Sequence, residues 1–477
     1  MRELTIIWSA LPFFVGFGIY LIPRISRHLA LGVSILSLAY GCWELFTATE
    51  ISLTLLDSFG VSLEVNELSG FFILTNALVT IAVLFYCWAS DRSSFFYTQV
   101  IILHGSVNAV FICADFISLY VAFEVLSIAA FLLIAYPRTD RSIWVGLRYL
   151  FVSNVVMLFY LLGAILVYQA SGSFALTSIT EAPVEAIALI FLGLLTKGGV
   201  FVSGLWLPLT HAESDTPVSA LLSGAVVKTG IYPLIQCAIL MPELDDIVRL
   251  LGVCTALLGV GYAVFAKDTK RMLAFHTISQ LGFVLAAPEV GGFYALTHGL
   301  VKAALFLIAG NLPSRNIKAL KSMTLPTPVW VALAIASFSI SGFPLLSGFG
   351  AKVLTTENLE PWQVVGMNIA ALGTAISFAK FIFLPHGKVD VSKFKTGFWA
   401  AIGLLLGGLV LANAIYFEAY TLKNTVKPLL IIGAGWLTYL LIIKHLNIKL
   451  PSVWEKIEHL SGVMGLTLTA LFWMVLA

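Results

Sequence analysis

Long apolar runs separated by short polar links fill almost the whole chain. A run of about 20 apolar residues is long enough to cross a bilayer as a helix. Such runs occupy residues 5–22, 28–47, 69–89, 96–114, 116–136, 143–168, 184–208, 216–240, 248–266, 272–287, 291–311, 327–356, 362–384, 397–417, 428–444 and 460–477. The pattern predicts an all-α, polytopic membrane protein with about 14 to 16 transmembrane helices.

The link at residues 49–66 has a different pattern, because apolar and polar residues alternate at Ile51, Leu53 and Leu55. Alternation of this kind is typical of a β-strand. We expect a small exposed hairpin there. It is among the longest polar stretches, so no link has room for a soluble domain.

The charged residues of the links are distributed unevenly between the two sides of the predicted bundle. When the links are assigned alternately to the two sides, one side receives Arg24, Arg27, Arg92, Arg138, Arg141, Lys267, Lys270, Arg271, Arg315, Lys318, Lys321, Lys388, Lys393, Lys395, Lys444, Lys449 and Lys456. The other side receives only Arg2, Arg249, Lys423 and Lys427. The positive-inside rule places the basic side in the cytoplasm or its equivalent and both termini outside. The expected location is a bacterial or archaeal cell membrane, or a thylakoid membrane.

Composition supports a membrane protein and narrows the chemistry. The chain is 59% apolar and 11% charged, whereas soluble domains are about 25% charged. The five cysteines are scattered singly, without the paired spacing that holds zinc or an iron–sulfur cluster. Residues 348–352 lack the spacing of a phosphate-binding loop. We therefore predict no cofactor, no metal, no catalytic residue and no nucleic-acid partner.

Six basic residues lie inside predicted spans and form two sets of three. Arg148, Lys197 and Lys228 are followed by Lys302, Lys352 and Lys380 at offsets of 154, 155 and 152 residues. A cation at the bilayer centre costs about 2.5 to 3.5 kcal/mol on insertion scales, so each needs a partner or a function. The near-constant offset predicts two five-helix repeats, at residues 96–241 and 242–385. An odd number of helices makes the second repeat inverted; residues 1–95 and 386–477 flank the pair.

Each predicted repeat contains helix-breaking residues beside one of its lysines. Lys197 precedes Gly198-Gly199 and Pro208, and Lys352 follows Ser341-Gly342-Phe343-Pro344. Interrupted helices of this kind carry the ion sites of inverted-repeat transporters. We expect one interrupted helix in each half-channel.

Glu124 is the one acid that the pattern embeds deeply. The equivalent position of the second repeat is Ile278, between His276 and Gln280, so the halves differ chemically. Glu124 is the natural counter-ion for a cation of the first half. Arg148 and Lys380 lie nearer the inner ends of their helices, where long side chains can reach the interface. For these two, structural and functional roles both stay open.

Several motifs resemble those of one known family, over about residues 70–385. They are Ala122–Ser127, Trp206–Pro208, Thr216–Gly224 with Lys228, Asp268–Arg271, His298–Lys302 and Ser347–Lys352. The family is the antiporter-like subunits, which comprise the proton-channel subunits of complex I and NAD(P)H dehydrogenase and the large, D-like subunits of Mrp-type cation/proton antiporters.

The resemblance implies a proton pathway. In it Glu124 pairs with Lys197, Lys228 relays at the centre, and His298 and Lys302 connect to Lys352. One departure concerns proton entry: Gly204, Leu209 and Thr210 stand where the family often has His, Asp and Ala. A polar loop at residues 211–215 could replace these residues at the point of proton entry, and His211 within it is a secondary candidate for the proton pathway.

The resemblance implies a proton-translocating subunit of an Mrp-type antiporter that exchanges Na⁺ or another cation for H⁺. The alternative is the equivalent subunit of a complex I-like or hydrogenase-like pump, a translocase-type NADH or ferredoxin:quinone oxidoreductase whose redox centres lie elsewhere. A non-conducting structural subunit is the second alternative. The expected partners are other hydrophobic subunits, protons, Na⁺ and the lipid bilayer.

Overall fold

A computed structural model of the protein describes residues 2–56, 60–446, 448, 450–451 and 455–476. The described chain is 79% helical. Its α-helices, in chain order, are α1 Arg2–Leu21, α2 Ser26–Thr47, α3 Glu67–Cys87, α4 Ser94–Val110, α5 Phe116–Ile134, α6 Asp140–Ser171, α7 Val184–Lys197, α8 Leu207–Glu213, α9 Thr216–Leu221, α10 Lys228–Leu240, α11 Pro242–Phe265, α12 Thr269–Leu285, α13 Gly291–Ala309, α14 Ile317–Leu320, α15 Thr327–Ser341, α16 Ser347–Glu357, α17 Gln363–Ile382, α18 Thr396–Asn413, α19 Leu422–Leu441 and α20 Ile457–Leu476.

Shorter elements connect these helices. A π-helical turn spans Leu222–Val226, and 3₁₀ turns span Pro23–Ile25, Leu176–Glu181, Phe201–Trp206, Pro288–Val290, Phe417–Ala419 and Ile443–His445. The strands are β1 Ile51–Leu56, β2 Gly60–Val65, β3 Leu325–Pro326 and β4 His386–Gly387.

The expected fold class, an all-α polytopic membrane protein, is confirmed. Thirteen helical segments of the described chain are long and apolar enough to cross a membrane. The three other predicted spans are shorter: α4 and α12 have 17 residues each, and the third is divided between α15 and α16. The count by length is therefore thirteen rather than 14 to 16.

The predicted hairpin is present, but it is not a free surface feature. β1 pairs with β2 in antiparallel register, with Ile51 opposite Val65. The Ala114 N–H donates to the Ser62 carbonyl at 2.8 Å, which attaches β2 to the link between α4 and α5. Ile51 and Val65 are buried. The turn residues 57–59 lie outside the described chain.

Helix α13 occupies the centre of the bundle and is buried along its whole length. It packs against α3, α9, α12, α15, α16 and α18. Polar groups on such a helix are shielded from both lipid and bulk water. His298 and Lys302 lie on it, so the fold places both of these site residues in the interior.

Both predicted helix interruptions are present. α7 ends at Lys197, and the chain passes through Gly199, whose φ of +68° is left-handed, before α8 begins. α15 ends at Ser341, followed by Gly342 at φ +84°, and α16 begins at Ser347. Only glycine enters this backbone region without strain, so the glycines are what end the helices. The inverted two-fold relation and its boundaries at 96–241 and 242–385 stay predictions.

Ion pairs group the basic links at one end of the bundle. Arg315 pairs with Asp268 at 2.9 Å, Arg141 with Glu213 at 3.3 Å, and Arg92 with Asp215. At the other end, Arg249 pairs with Asp245 at 2.7 Å and with Glu289. Lys449, assigned to the basic end, lies outside the described residues. Which end faces the cytoplasm stays a prediction.

The last helices divide between the two predicted halves. α18 packs on α3 and α13, α19 packs on α17, and α20 packs on α7 and on the 201–206 turn. The link between α19 and α20 crosses α11, where the Tyr262 hydroxyl donates to the Pro451 carbonyl at 3.3 Å. The C-terminal segment therefore spans from the second predicted half to the first.

Candidate functional site

Lys197 ends α7 and is buried at the interruption. Its ammonium donates to the hydroxyls of Ser127 on α5 and Ser153 on α6, and it lies 3.5 Å from the Phe123 carbonyl oxygen. A cavity of about 10 Å³ adjoins it, lined by Thr196, Thr229 and other residues. A cavity of this size holds about one water molecule. Neutral oxygens therefore solvate the lysine, and one water-sized space leads from it towards α10.

Glu124 and Lys197, which the resemblance pairs, interact electrostatically but do not form a salt bridge in this structure. Among the described residues, no carboxylate lies within ion-pair distance of the lysine. Glu124 is only partly buried, and it lies between Val121 and Ile128, which are 54% and 52% exposed. Residues three and four positions apart share a helix face. Glu124 is also one turn from the buried Ser127, so it lies at the edge between the outward face of α5 and the Lys197 site. The hydroxyls of Ser127 and Ser153, rather than the carboxylate, bind the ammonium directly.

Lys228 begins α10, directly after the π-helical turn, and is fully buried. Its ammonium donates to the Gly224 carbonyl at 2.7 Å and to the Ser223 carbonyl at 3.2 Å. A π-turn interrupts the regular α-helical ladder and is frequent at functional sites, and here the carbonyls of that turn bind the lysine. The Ser223 and Thr277 hydroxyls, 2.7 Å apart, connect the same turn to α12.

His298 and Lys302 are one turn apart on α13 and are both buried. Lys302 donates to the Leu273 carbonyl and lies 5.1 Å from the centre of the Phe306 ring. In the described part of the chain, neither ring nitrogen of His298 has a hydrogen-bond partner, and the same is true of His276 on α12. Buried polar atoms are normally paired. The two imidazoles therefore do not link helices by side-chain hydrogen bonds within the described chain.

Lys352 lies on α16 beside the second interruption. Its ammonium is 5.2 Å from the Phe283 ring centre and has no hydrogen-bond partner among the described residues. A cavity of about 240 Å³ adjoins it, lined by residues of α16, α17 and α19 that include Glu357 and Lys427. A Cβ atom on Gly342 would lie 2.8 Å from the lysine Cδ. The interruption therefore makes room for the lysine to reach the cavity.

Arg148 and Lys380 are buried, and both extend to link residues at the basic end of the bundle, as their position near the inner ends of their helices predicts. Arg148 is buried and donates to the main-chain carbonyl of Glu455, whose carboxylate pairs with Arg271. Lys380 is buried and donates to the carbonyls of Ala266 at 3.0 Å and Ala263 at 3.2 Å. A cation is favourable at the C-terminal end of a helix, and Lys380 occupies that place on α11. For these two residues, structural and functional roles both stay open.

His211 is not on a solvated loop, because residues 207–213 form the short helix α8. Its ring is fully buried, with ring centres of Trp206 and Phe306 at 6.2 and 6.1 Å. The neighbouring acids Glu213 and Asp215 pair with arginines. The interpretation of this segment as an open polar loop was therefore wrong.

Sequence reasoning missed a second buried acid. Glu44 lies in the last turn of α2, is fully buried, and has no hydrogen-bond partner for either carboxyl oxygen among the described residues. Glu124 is thus not the one embedded acid. Glu44 lies near the end of an apolar run, where a helix normally emerges from the membrane. An acid at such a position is expected to be exposed, so the sequence did not indicate that Glu44 is buried.

A polar network in the N-terminal helices was missed as well. The His104 ring contacts the hydroxyls of Thr80 at 3.1 Å and Ser37 at 2.8 Å, and the Asn76 amide donates to Asn108 at 2.8 Å. These groups satisfy one another across α2, α3 and α4. The sequence feature that could have indicated this network is the isolated polar residues within apolar runs. A fully satisfied polar network of this kind makes a helix bundle more rigid.

The contact of Glu455 with two arginines predicts a role in stability. Replacement of Glu455 by Gln removes the carboxylate from Arg271 and leaves the buried Arg148 without a nearby negative charge. A hydrogen bond to a charged group contributes about 1.5 to 3 kcal/mol. We expect a lower midpoint of thermal unfolding in detergent. Glu458→Gln, at an exposed position, is the matched control, and an equal effect of both changes would contradict the assignment.

Comparisons with known proteins agree with the resemblance drawn from the motifs. The family model described as NADH:quinone oxidoreductase/Mrp antiporter, TM, matches residues 113–377. The D-type subunit of the Na(+)/H(+) antiporter of Alkalihalophilus pseudofirmus is 27% identical over 454 residues, which cover 83% of this chain and 90% of that protein. The N-type subunit of the NADH-quinone oxidoreductase of Desulforudis audaxviator is 29% identical over 365 residues, covering 68% and 72%.

A solved structure shares the fold. A chain in the structure of the Mrp complex from Dietzia sp. DQ12-45-1b superposes with a TM-score of 0.79 at 20% identity, covering 97% of this chain and 59% of that one. At this identity the likeness concerns the fold alone. The overall fold of this chain is therefore one already known in a membrane complex.

Proposed function

Since this chain belongs to the NADH:quinone oxidoreductase/Mrp antiporter transmembrane family, we propose that it is the proton-translocating membrane subunit of a multi-subunit, Mrp-type Na⁺(cation)/H⁺ antiporter. One observation carries the proposal. Five buried titratable side chains lie on the helices from the first interruption to the second: Lys197, Lys228, His298, Lys302 and Lys352. At the centre of this set, the His298 ring lies within electrostatic range of both Lys228 and Lys302. Three of the five stand on or beside an interruption or a π-turn, where the backbone itself supplies polar groups.

In this proposal, the position of Glu124 determines whether Lys197 takes up or releases a proton. Contacts of the ammonium with the Ser127 and Ser153 hydroxyls support this proposal, because they can solvate Lys197 while the carboxylate is withdrawn. Two opposite charges 4 Å apart attract by about 4 kcal/mol at an effective dielectric constant of 20. Approach of the carboxylate stabilises the protonated lysine, and its withdrawal favours release of the proton.

The proton then moves through the centre of the bundle. Lys228 receives it at the π-turn and passes it to the His298 ring, which is free of other partners within the described chain. Lys302 follows one turn along the same helix face. The cavity beside Lys352 provides the outlet.

The proposal includes a neighbouring subunit against α5. Glu124 is partly exposed on a face formed by Val121, Ile128 and other apolar residues. An acid that faces lipid near the bilayer centre costs about 2.5 to 3.5 kcal/mol. A hydrophobic partner subunit that covers this face removes the cost and gives Glu124 a polar neighbour.

A redox-driven pump is the second candidate. The oxidoreductase relative from Desulforudis audaxviator is as similar to this chain as the antiporter relative from Alkalihalophilus pseudofirmus is. The same relay serves both assemblies, because only the driving reaction differs. Proteins that co-purify with the chain distinguish them: partners that oxidise NADH or ferredoxin indicate a pump, and only small hydrophobic partners indicate an antiporter.

The decisive test is proton transport in vesicles that contain the whole assembly. Glu124→Gln and Lys197→Ala should each abolish ion-coupled proton transport, since one removes the loading charge and the other the loaded group. Glu185→Gln, an exposed acid at the start of α7, is the control and should transport normally. Flux is normalised to the amount of assembled complex. Near-normal flux in both site variants would leave the chain a structural subunit.

A further inference from the structure

Two lysines of α19 line the cavity that adjoins Lys352. Lys423 and Lys427 are four residues apart and therefore lie on one face of the helix, and both contribute to the cavity wall. They come from residues 386–477, beyond the segment that the family model matches. Lys423 is exposed and Lys427 is half-buried, so the pair lies between the buried lysine and the surface.

The charge of this cavity is strongly one-sided. Its titratable lining consists of Lys352, Lys423, Lys427 and Glu357, a formal excess of two positive charges. Glu357 does not pair with these lysines: its oxygens accept from the Asn424 amide at 2.9 Å and the Tyr416 hydroxyl at 3.0 Å. The Glu357 carboxylate is therefore hydrogen-bonded to neutral donors. Within the described chain, Lys352, Lys423 and Lys427 have no ion-pair partner.

Stability does not account for the two lysines. They occupy the first and second turns of α19, and cations near a helix N-terminus are unfavourable because the helix dipole is positive there. Other cations at this end of the bundle, such as Arg249, are engaged in ion pairs. A like-charged pair at this spacing is also mildly repulsive. The two lysines therefore lower the stability of α19, and we look for a functional reason for their position.

We propose that Lys423 and Lys427 form a cation-excluding filter at the mouth of the Lys352 cavity. Charges of one sign on the walls of a cleft focus the electric field and change local ion concentrations. Na⁺ and other metal cations are kept away from the outlet, whereas a proton can leave Lys352 through water in a cavity of about 240 Å³. The coupled cation must then cross by a different route. The role as an outlet filter rests on the proposed function; the charge selectivity of the cavity does not.

A labelling experiment tests the selectivity without any transport measurement. Asn368 lines the cavity from α17 and is half-buried; the native cysteines are not among the lining residues. In the assembled complex, Asn368→Cys is treated with a negatively and a positively charged methanethiosulfonate of similar size. The negative reagent should react faster by about tenfold or more, as expected for focused charge.

Matched variants identify the source of the selectivity. Lys423→Gln with Lys427→Gln should bring the ratio of the two rates close to one, and Lys423→Glu with Lys427→Glu should invert it. Lys388→Gln with Lys393→Gln removes the same charge at the opposite end and should leave the ratio unchanged. Thr180→Cys, exposed and outside the cavity, reports the intrinsic reactivity. An unchanged ratio in the Gln variant, or no reaction with either reagent, overturns the filter.

A second measurement concerns the role in transport. With the coupled cation already at a saturating concentration, a further excess of Na⁺ at the outlet side should leave the proton flux of the native complex unchanged, relative to the same excess of choline. In the Glu variant, Na⁺ should lower the flux several-fold relative to choline. A charge-dependent labelling ratio combined with Na⁺-independent flux in the Glu variant rejects the filter role. If the native complex shows no proton flux, the proposed function fails, while the labelling result still stands on its own.

Discussion

Replacing Lys228 by methionine is expected to abolish proton flux through the assembled complex. Lys228 is fully buried, and its ammonium binds carbonyls of the π-turn near the end of the first predicted half. Methionine has a similar length and packs well in apolar surroundings, but it cannot hold a proton. The variant therefore lacks the central proton carrier of the relay, and proton transport normalised to assembled complex should fall to background.

Lys380→Gln is the matched control for this change. Lys380 is also a buried lysine, but its ammonium binds the carbonyls that end α11. We expect less of this variant to assemble, with most of the flux retained per assembled complex. If Lys228→Met carried near-normal flux, the central relay would be excluded. A loss of assembly without a loss of flux per complex would make Lys228 a structural residue.

The second large effect is expected at the other interruption. In Gly348→Ala, the new Cβ atom would lie 1.8 Å from the Ser339 carbonyl oxygen. Backbone cannot move aside as a flexible side chain can, and forced overpacking costs about 1 to 3 kcal/mol or more. α15 and α16 must therefore separate. We expect little assembled complex, measured as the amount of the chain that co-purifies with its partner subunits.

Gly350→Ala provides a stringent control, because it lies two residues further along the same helix. A Cβ atom there would meet its nearest neighbour at 3.6 Å, which is an ordinary contact. This variant should assemble like the native chain. If Gly348→Ala and Gly350→Ala reduced the amount of assembled complex equally, the close approach of α15 and α16 would not be the reason that glycine is needed.

The fold could be predicted to the level of elements because bilayer thickness fixes the length of a span. Both interruptions were predicted from glycine and proline, whose backbone preferences are local. Where α19 and α20 pack could not be predicted. Their apolar faces fit lipid and protein equally well, so their sequences contain no information about which helix they contact.

The candidate site was predicted in part. Buried lysines such as Lys197 and Lys352 are visible in a sequence because a charge within an apolar run is unusual. The partners were not visible: Ser127 and Ser153 bind Lys197, whereas Glu124 does not. Serine is common in membrane helices, and its side-chain direction depends on helix rotation. Helix rotation is set by packing and not by the local sequence.

The position of α20 has a consequence for the order in which the protein matures. α20 is synthesised long after α7, yet it packs on α7 and on the 201–206 turn. Chains fold from the N-terminus during synthesis, so the helices of the first half enter the bilayer well before the helix that covers their interruption. Contacts between such distant segments form slowly. A nascent chain therefore holds an unfinished first half, and a pathway that depends on this packing closes only after α20 has been synthesised.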